Sequence, residues 1–280
     1  FDKIIKSILL YGCEIWGGTN NDSIERVQLR FLKYIFNLKK STPSYMIYGE
    51  TGVYPLDIYI KNRMVAFWAN LIEDMSKNET QKLSSNMYLL VYGLHESGQF
   101  TIQWLKDIKD ILCLSGFSGV WYSQTFINKT WLVKSMLQRS KDIFIQKWKS
   151  EIETTSNTNI YKLLKQDFKQ SGYVSLLPTY LCKTIIAFRT RNHRFPIETG
   201  RWRGIPAHER KCAYCNDIGY EFHYLFVCPE FKSERRDKIP NYYFNHPNVL
   251  KLAELLNLKS RPKLRKLALF LKQVLKNVKS

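Results

Sequence analysis

Apolar residues recur every three or four positions along much of the chain, which is the spacing of one face of a helix. In the first such stretch they stand at Ile24, Val27, Phe31, Ile35 and Leu38. Further helices are predicted over about 55–72, 104–116, 126–152, 177–189 and 264–278. The predicted apolar side of the helix at 126–152 carries Trp131, Met136, Ile143 and Trp148. Alternation of apolar and polar residues, which is typical of strands, is rare. The pattern therefore predicts a mainly α fold.

Polar stretches between these helices predict where the chain divides. Residues 78–98 turn to Ser, Asn, Gly and Gln, which favours a surface connection and a domain boundary. Residues 154–159 form a short polar linker. The predicted segments are a helical domain at 1–77, a helical linker domain at 78–176, an arginine-rich segment with a Cys/His cluster at 177–240, and a basic amphipathic tail at 241–280.

The composition adds a strong positive charge to a chain that can fold. Hydrophobic residues make up 45% of the chain and aromatic residues 14%, which is enough for a buried core. Lys and Arg total 43 against 24 Asp and Glu, a formal charge of +19. This excess favours RNA or DNA as a partner, because each neutralised phosphate releases counterions. A role in solubility alone, or a lysine-rich proteome, is the alternative explanation.

Cysteine usage and hydropathy both favour an intracellular protein. The six cysteines are too few and too unevenly spaced for a disulfide framework, which favours a reducing compartment. No apolar run approaches the ~20 residues that span a bilayer, so we expect a soluble protein without a membrane partner. The chain begins with Phe1 inside an apolar segment, which suggests that it was cut from something longer. Ordinary processing is the alternative.

Four residues have the spacing of a zinc knuckle. Cys212, Cys215, His223 and Cys228 form the pattern C-x2-C-x7-H-x4-C. Tetrahedral Zn²⁺ takes four such ligands, and two cysteines three positions apart on a tight turn supply half of them. With four protein ligands no coordination position stays open, so the predicted Zn²⁺ is structural. Ordinary buried cysteines and a core histidine are the alternative.

Aromatic residues alternate with these four ligands. They are Tyr214, Tyr220, Phe222, Tyr224 and Phe226. Such rings can stack on unpaired bases. They can equally pack the small core of the knuckle. Both interpretations stay open.

An arginine-rich stretch leads into the knuckle. Residues 183–211 hold eight Lys or Arg against Glu198 and Glu209, a net of +6. Arginine presents a planar fork to phosphate oxygens and can stack on bases, whereas a merely solvated face is the alternative. A second positive face is predicted on the helix of residues 24–38. The predicted nucleic-acid contacts are Arg26, Arg30, Lys33, Arg189, Arg191, Arg194, Arg201, Arg203, Arg210 and Lys211.

The last segment is both amphipathic and basic. Residues 241–280 hold nine Lys or Arg and one acid, Glu254, for a net of +8. A basic amphipathic helix suits a nucleic acid, an acidic protein or an anionic membrane. Its spacing does not decide among them.

No catalytic centre is apparent in the sequence. Two-metal polymerase chemistry needs paired carboxylates for Mg²⁺, and no Asp-Asp doublet occurs. A phosphate-binding Gly-rich loop, a Gly-x-Ser-x-Gly elbow and a His-Glu-x-x-His helix are also missing. The scattered acids Asp22, Glu25, Glu50 and Asp57 look like helix caps. We therefore assign no catalytic residue.

Several segments together resemble one protein family. They are Ser7–Gly17 (SILLYGCEIWG), Tyr54–Asp57 (YPLD), Phe188–Arg201 (FRTRNHRFPIETGR), the knuckle and Glu221–Pro229 (EFHYLFVCP). From about residue 4 to 240 the chain resembles the C-terminal part of a non-LTR (LINE-type) retrotransposon reverse transcriptase. The arginine-rich segment that leads into the knuckle is the specific part of this resemblance.

The resemblance implies a division of roles. In that family the fingers and the Mg²⁺-binding palm precede the Tyr-Gly-x-x-x-Trp segment, so this chain would begin with the thumb. The missing Asp pair fits this. The implied fold is a helical thumb-like bundle, then a helical linker region and a small zinc-stabilised CCHC module. Arg26, Arg30 and Lys33 would face the primer–template.

The resemblance also implies partners and a location. The arginine-rich segment and the knuckle would hold element RNA or target DNA, in a ribonucleoprotein found in the nucleus and the cytoplasm. A downstream endonuclease pattern is absent, so any nuclease of the parent would lie upstream. The expected function is therefore a nucleic-acid-binding part of an RNA-directed DNA polymerase, inactive alone. A stand-alone, domesticated zinc-knuckle protein that binds nucleic acid or other proteins is the alternative.

Overall fold

The computed structural model describes residues 1–18, 20–76, 83–155 and 159–278. The chain is 70% helical and no strand occurs in these residues, which confirms the predicted mainly α fold. Among the helices in these ranges, none has the length and apolar character needed to cross a membrane. The helices α1 to α17 are, in chain order, Ile5–Leu9, Cys13–Trp16, Asp22–Phe36, Ser44–Thr51, Leu56–Ser76, Leu83–Glu96, Gln103–Leu114, Ser118–Ser123, Lys129–Thr154, Asn159–Leu164, Gly172–Leu176, Thr179–Arg189, Pro196–Trp202, Lys232–Lys238, Asn241–Phe244, Val249–Leu256 and Arg261–Asn277.

The chain divides into two compact units, each made of two separate chain stretches. Unit 1 consists of Phe1–Gln28 and Tyr54–Lys147, and unit 2 consists of Leu29–Val53 and Trp148–Ser280. The four segments predicted from the sequence instead follow one another along the chain, and that division stays a prediction. The predicted boundary after residue 77 and residues 156–158 of the predicted linker lie outside the described residues.

The described part of the predicted surface connection at residues 78–98 includes helix α6, which the residue pattern did not predict, although most of its side chains are exposed. Three of its aromatic and apolar side chains, Tyr88, Val91 and Tyr92, stand at helical spacing and pack into the core of unit 1. Tyr88 is buried, and its hydroxyl accepts a hydrogen bond of 2.9 Å from the indole N–H of Trp68. Because the segment is rich in Ser, Asn and Gly, the helical spacing of these side chains was not recognised in the sequence.

The core of unit 1 is built around helix α5. Trp68 is fully buried, with the rings of Trp121 and Phe126 at 6.1 and 6.2 Å. Leu105 and Ile108 of α7 lie in the same apolar cluster. Both helices stand where the spacing of apolar residues predicts them.

The long helix predicted over residues 126–152 is present as α9, but its predicted apolar face is only half correct. Met136 and Trp148 are buried, whereas Trp131 and Ile143 are exposed. The ring of Trp131 makes only an edge contact with Phe117, at 6.2 Å. An apolar side chain at the correct spacing is therefore not always covered by a neighbouring element.

Helices α12 and α17 pack against each other in the core of unit 2. The apolar stripe predicted for the last helix is buried, including Leu264, Leu267, Leu271 and Val274. On α12, Ile185 is fully buried in the same apolar cluster. The basic residues of α17 are left on its outer face.

An ion pair lies deep inside unit 2. The Arg189 Nε atom donates to Glu50 Oε2 at 2.9 Å, and both side chains are almost completely buried. Arg189 Nη1 also donates to the carbonyl of Leu256 and to Oδ1 of Asn257. The hydroxyl of Tyr173 donates to the same Glu50 oxygen at 2.7 Å. Although burial opposes its charge, the Glu50 carboxylate raises the pKa of Arg189 above its usual value.

Arg189 is therefore not a nucleic-acid contact, and its sequence-based assignment to that role is wrong. Only 2% of the residue is exposed, and internal acceptors already bind its guanidinium. The prediction failed because the number of arginines in a segment says nothing about which of them point inward.

Replacing Arg189 by Ala is expected to destabilise unit 2 severely. The change leaves the Glu50 carboxylate buried without its positive partner, so the free energy of unfolding should fall by about 3–5 kcal/mol. Urea unfolding followed by circular dichroism measures this loss. Arg203→Ala, at an exposed arginine of the same unit, is the matched control and should change little. Equal stability of the two variants would contradict this role of Arg189.

Candidate metal centre

The four residues predicted as metal ligands come together in unit 2. The ligand atoms of Cys212, Cys215, His223 and Cys228 all lie within 4.8 Å of one another. The sulfur atoms of Cys212 and Cys228 are 3.8 Å apart, and the sulfur of Cys215 lies 3.2 Å from Nε2 of His223. Only Cys215 is not fully buried. This cluster could hold a metal ion.

A tight turn presents the first two cysteines. The amide of Asn216 donates to the carbonyl of Cys212 at 3.0 Å, and the amide of Cys212 donates to the carbonyl of Asp217. Asn216 has a φ of +63°, a left-handed conformation that asparagine tolerates better than most residues. An isolated antiparallel bridge between Lys211 and Ile218 closes the loop. The C-x2-C spacing thus folds locally into a ligand-bearing turn.

The second pair of ligands stands at the two ends of a short π-helical turn. The turn covers His223–Val227, and the amide of Cys228 donates to the carbonyl of His223 at 2.8 Å. Arg235 of α14, which is buried, donates to the carbonyls of Leu225 and Cys228 at 2.7 and 2.9 Å. Arg235 is not predicted from the sequence, because nothing in its spacing marks it as the residue that fixes this turn.

The surroundings of the cluster favour metal binding. Asp217 Oδ2 lies 3.9 Å from Nδ1 of His223, which places a negative charge near the second ring nitrogen, and a metal-bound histidine usually donates that N–H to a carboxylate, a backbone carbonyl or water. Burial lowers the pKa of His223, which favours the neutral imidazole that binds metals. Burial raises the pKa of the Cys228 thiol to about 12. A bound cation would offset the cost of ionising this buried thiol.

Most of the aromatic side chains around the ligands serve packing. Tyr224 and Phe226 are buried, and Phe222 packs against the core of unit 2. Tyr214 is 39% exposed, but its hydroxyl donates to the carbonyl of Asn277 at the end of α17. Tyr220 is the remaining ring, and it stacks on Phe222 at 6.1 Å.

One buried acid of the knuckle, Glu221, binds the arginine-rich segment. Glu221 accepts from Arg191 Nε at 3.2 Å and lies 3.0 Å from Nε2 of His193. Arg191 also pairs with Glu198 at 2.6 Å. Burial would raise the pKa of Glu221, but the hydrogen bond with His193 and the charge of Arg191 lower it to about 2. Glu221 thus stays ionised in the interior.

The other predicted contacts in this segment differ in their exposure. Arg210 is partly buried and donates to the carbonyls of Ile205 and Ile197. Arg201 pairs with Glu198 at 2.8 Å and remains 42% exposed. The contacts predicted in this segment with exposed side chains and no role in the interior are Arg194, Arg203 and Lys211.

The positive face predicted on α3 is largely present. Arg26 and Arg30 are exposed and stand one helical turn apart. Lys33 is partly buried and donates to the carbonyl of Lys40 at 2.6 Å, and burial lowers its pKa. Two of the three predicted side chains are therefore accessible.

Metal binding is expected to depend on the cluster alone. Titration with Co²⁺ should give thiolate-to-cobalt charge-transfer absorption that saturates at about one ion per chain. Cys212→Ser should weaken this binding strongly, because it removes one of four ligands. Cys182→Ser is the control, since Cys182 is buried in the same unit but its thiol donates to the carbonyl of Tyr173. Loss of binding in the Cys182 variant alone would contradict the assignment.

Comparison with known proteins leaves the family of the chain open. No protein-family model, curated protein or solved structure gives a significant match. The resemblance to non-LTR retrotransposon reverse transcriptases therefore stays a prediction. What the chain's own residues establish is a mainly α protein with a cluster of three cysteines and one histidine that could hold a metal ion.

Proposed function

We propose that the chain is the nucleic-acid-binding C-terminal part of a retrotransposon RNA-directed DNA polymerase, and that its Cys/His cluster holds a structural Zn²⁺. One observation carries the proposal: exposed cations occupy the same chain segment that the Cys/His cluster closes. In this role the chain grips RNA or target DNA. Copying itself takes place in a palm that binds Mg²⁺ elsewhere in the parent protein.

The geometry of the cluster supports zinc as the metal. A tetrahedral site with Zn–S distances of about 2.3 Å has edges of about 3.8 Å. The Cys212–Cys228 sulfur separation of 3.8 Å matches such an edge, the Cys215 sulfur lies closer to His223 Nε2, at 3.2 Å, and all four ligand atoms lie within 4.8 Å of one another. Three thiolates and one imidazole are a donor set that zinc prefers, and four protein ligands leave no position for a reacting water. The metal would therefore clamp the knuckle and perform no hydrolysis.

The distribution of charge supports a phosphate backbone as the partner. The whole chain carries a formal charge of +19. In the segment beside the knuckle Arg194, Arg203 and Lys211 point into solvent, and a backbone reader needs such cations. Arg26 and Arg30 supply a second positive site on α3, as expected for a thumb helix that follows a primer–template. No residue of this chain is assigned a role in the chemical step.

We expect about one zinc ion per chain in the purified protein. Elemental analysis by mass spectrometry measures it, with calcium and iron as internal comparisons. Removing zinc with a chelator should lower the thermal stability of unit 2, because binding energy at a structural site is folding energy. A metal-free wild-type protein with undiminished stability would end the zinc assignment.

Binding to single-stranded RNA is expected to weaken as salt rises. Each phosphate contact contributes about −0.7 to the slope of log K against log salt. Replacing Arg194, Arg203 and Lys211 together by Ala should therefore make the slope shallower by about 2. Fluorescence anisotropy at several salt concentrations measures both quantities.

The matched control for this triple variant removes the same charge from unit 1. It replaces the exposed residues Lys106, Lys134 and Arg139 by Ala. We expect the control to leave the slope nearly unchanged. RNA affinity that is independent of salt, or an equal effect of the two triple variants, would refute phosphate contacts at the arginine-rich segment.

A further inference from the structure

A pocket in unit 2 brings together an exposed tryptophan and several positive side chains. It opens between the chain that follows α3 and the end of α13. Trp202, which no sequence pattern marks, is 55% exposed, and the partly buried Tyr45 is a second aromatic residue of the lining. The polar, charged and aromatic residues of its lining include Lys39, Ser41, Thr42, Arg191, Glu198, Arg201 and Trp202.

Lys39 is held at the wall of this pocket. Its amide donates to Oδ1 of Asn192 at 3.2 Å, and its ammonium donates to the carbonyl of His193 at 3.3 Å. The same ammonium lies 4.0 Å from the ring centroid of Trp202, which is a cation–π contact. A positive charge and an aromatic ring therefore stand side by side in a fixed arrangement.

Glu198 orients two arginines of the pocket. Its carboxylate is 2% exposed and binds Arg191 at 2.6 Å and Arg201 at 2.8 Å. A guanidinium has five N–H donors, so each arginine keeps donors beyond those that the carboxylate uses. Lys39, Arg191 and Arg201 against Glu198 give a net of +2, and Glu221, which also binds Arg191, reduces it to +1. The pocket remains positive.

We infer that this pocket binds one unpaired nucleotide of a single-stranded nucleic acid, with the base stacked on Trp202 and the adjoining phosphate against Lys39 and Arg201. The inference rests on the proposed function and deepens it, because it names a single strand as the form of nucleic acid that is bound and this pocket as the binding site. Aromatic rings beside cations are the usual means by which proteins hold unpaired bases. Ser41 and Thr42 also line the pocket, and a hydroxyl side chain can hydrogen-bond a base edge.

A base inside a duplex does not fit this description. Its faces are covered by stacking neighbours, so a tryptophan within a pocket reaches only a base that is splayed out. An acidic peptide could use the three cations, but it would make no use of the exposed indole. The combination of ring and cations therefore favours a single strand over both alternatives.

The test compares two short oligonucleotides that differ only in their bases. The probes are a fluorescein-labelled oligouridine of eight nucleotides and an abasic strand of the same length, titrated with the full chain. Trp202→Ala should weaken binding of oligouridine about 10-fold, since a stacked base contributes roughly that much. Binding of the abasic strand should be unchanged. Trp202→Phe should keep most of the affinity.

Two further variants separate stacking from charge and from general damage. Trp131→Ala is the matched control, because Trp131 lies in unit 1 and is 57% exposed. Lys39→Ala should make the salt slope shallower by about 0.7, whereas Trp202→Ala should leave the slope as it is. Thermal unfolding of each variant shows whether it is folded.

The outcomes distinguish this inference from the function on which it rests. If the wild-type chain binds neither probe, the proposed function fails and the inference fails with it. If it binds oligouridine in a salt-dependent way but Trp202→Ala behaves like Trp131→Ala, only the inference is overturned. The same holds if an acidic peptide displaces oligouridine from the wild type and from Trp202→Ala equally well.

Discussion

Unit 2 depends on the buried pair of Arg189 and Glu50. The two residues are 139 positions apart in sequence and come from α12 and α4. The same guanidinium binds the end of α16 through the carbonyl of Leu256. A charge in an apolar interior is costly unless it is paired and hydrogen-bonded, so the two ions constrain how these helices can pack. We infer that the ion pair contributes more to specifying this arrangement of the helices than to the free energy of unfolding.

The arginine-rich segment connects this ion pair to the knuckle, and its basic residues have different roles along its length. Arg189 is internal, and Arg191 is held by Glu198 and Glu221. Beyond them, Arg194 and Arg203 point into solvent. A single run of basic residues thus supplies both the interior links of unit 2 and its positive surface. The proposed nucleotide pocket lies where the two roles meet.

The knuckle is held from two sides. Glu221 joins it to His193 and Arg191, and Arg235 fixes the backbone turn that carries His223 and Cys228. The ligand turn at Cys212 closes through its own backbone hydrogen bonds. A metal would therefore complete a site whose ligands already converge. In the proposed function a bound metal would link the two turns beside the positive surface, where the proposed contacts lie.

The sequence by itself determined the helical fold, the buried stripe of α17 and the four clustered ligands. These features could be predicted because helical spacing and a C-x2-C turn depend on residues only a few positions apart. Only the tertiary structure decided which apolar and basic side chains face inward. Arg189 is a basic residue that was expected on the surface but is buried, and Trp131 is an apolar residue that was expected in the core but is exposed. The physical reason is that burial depends on partners such as Glu50, which lie far away in sequence and meet only in the folded chain.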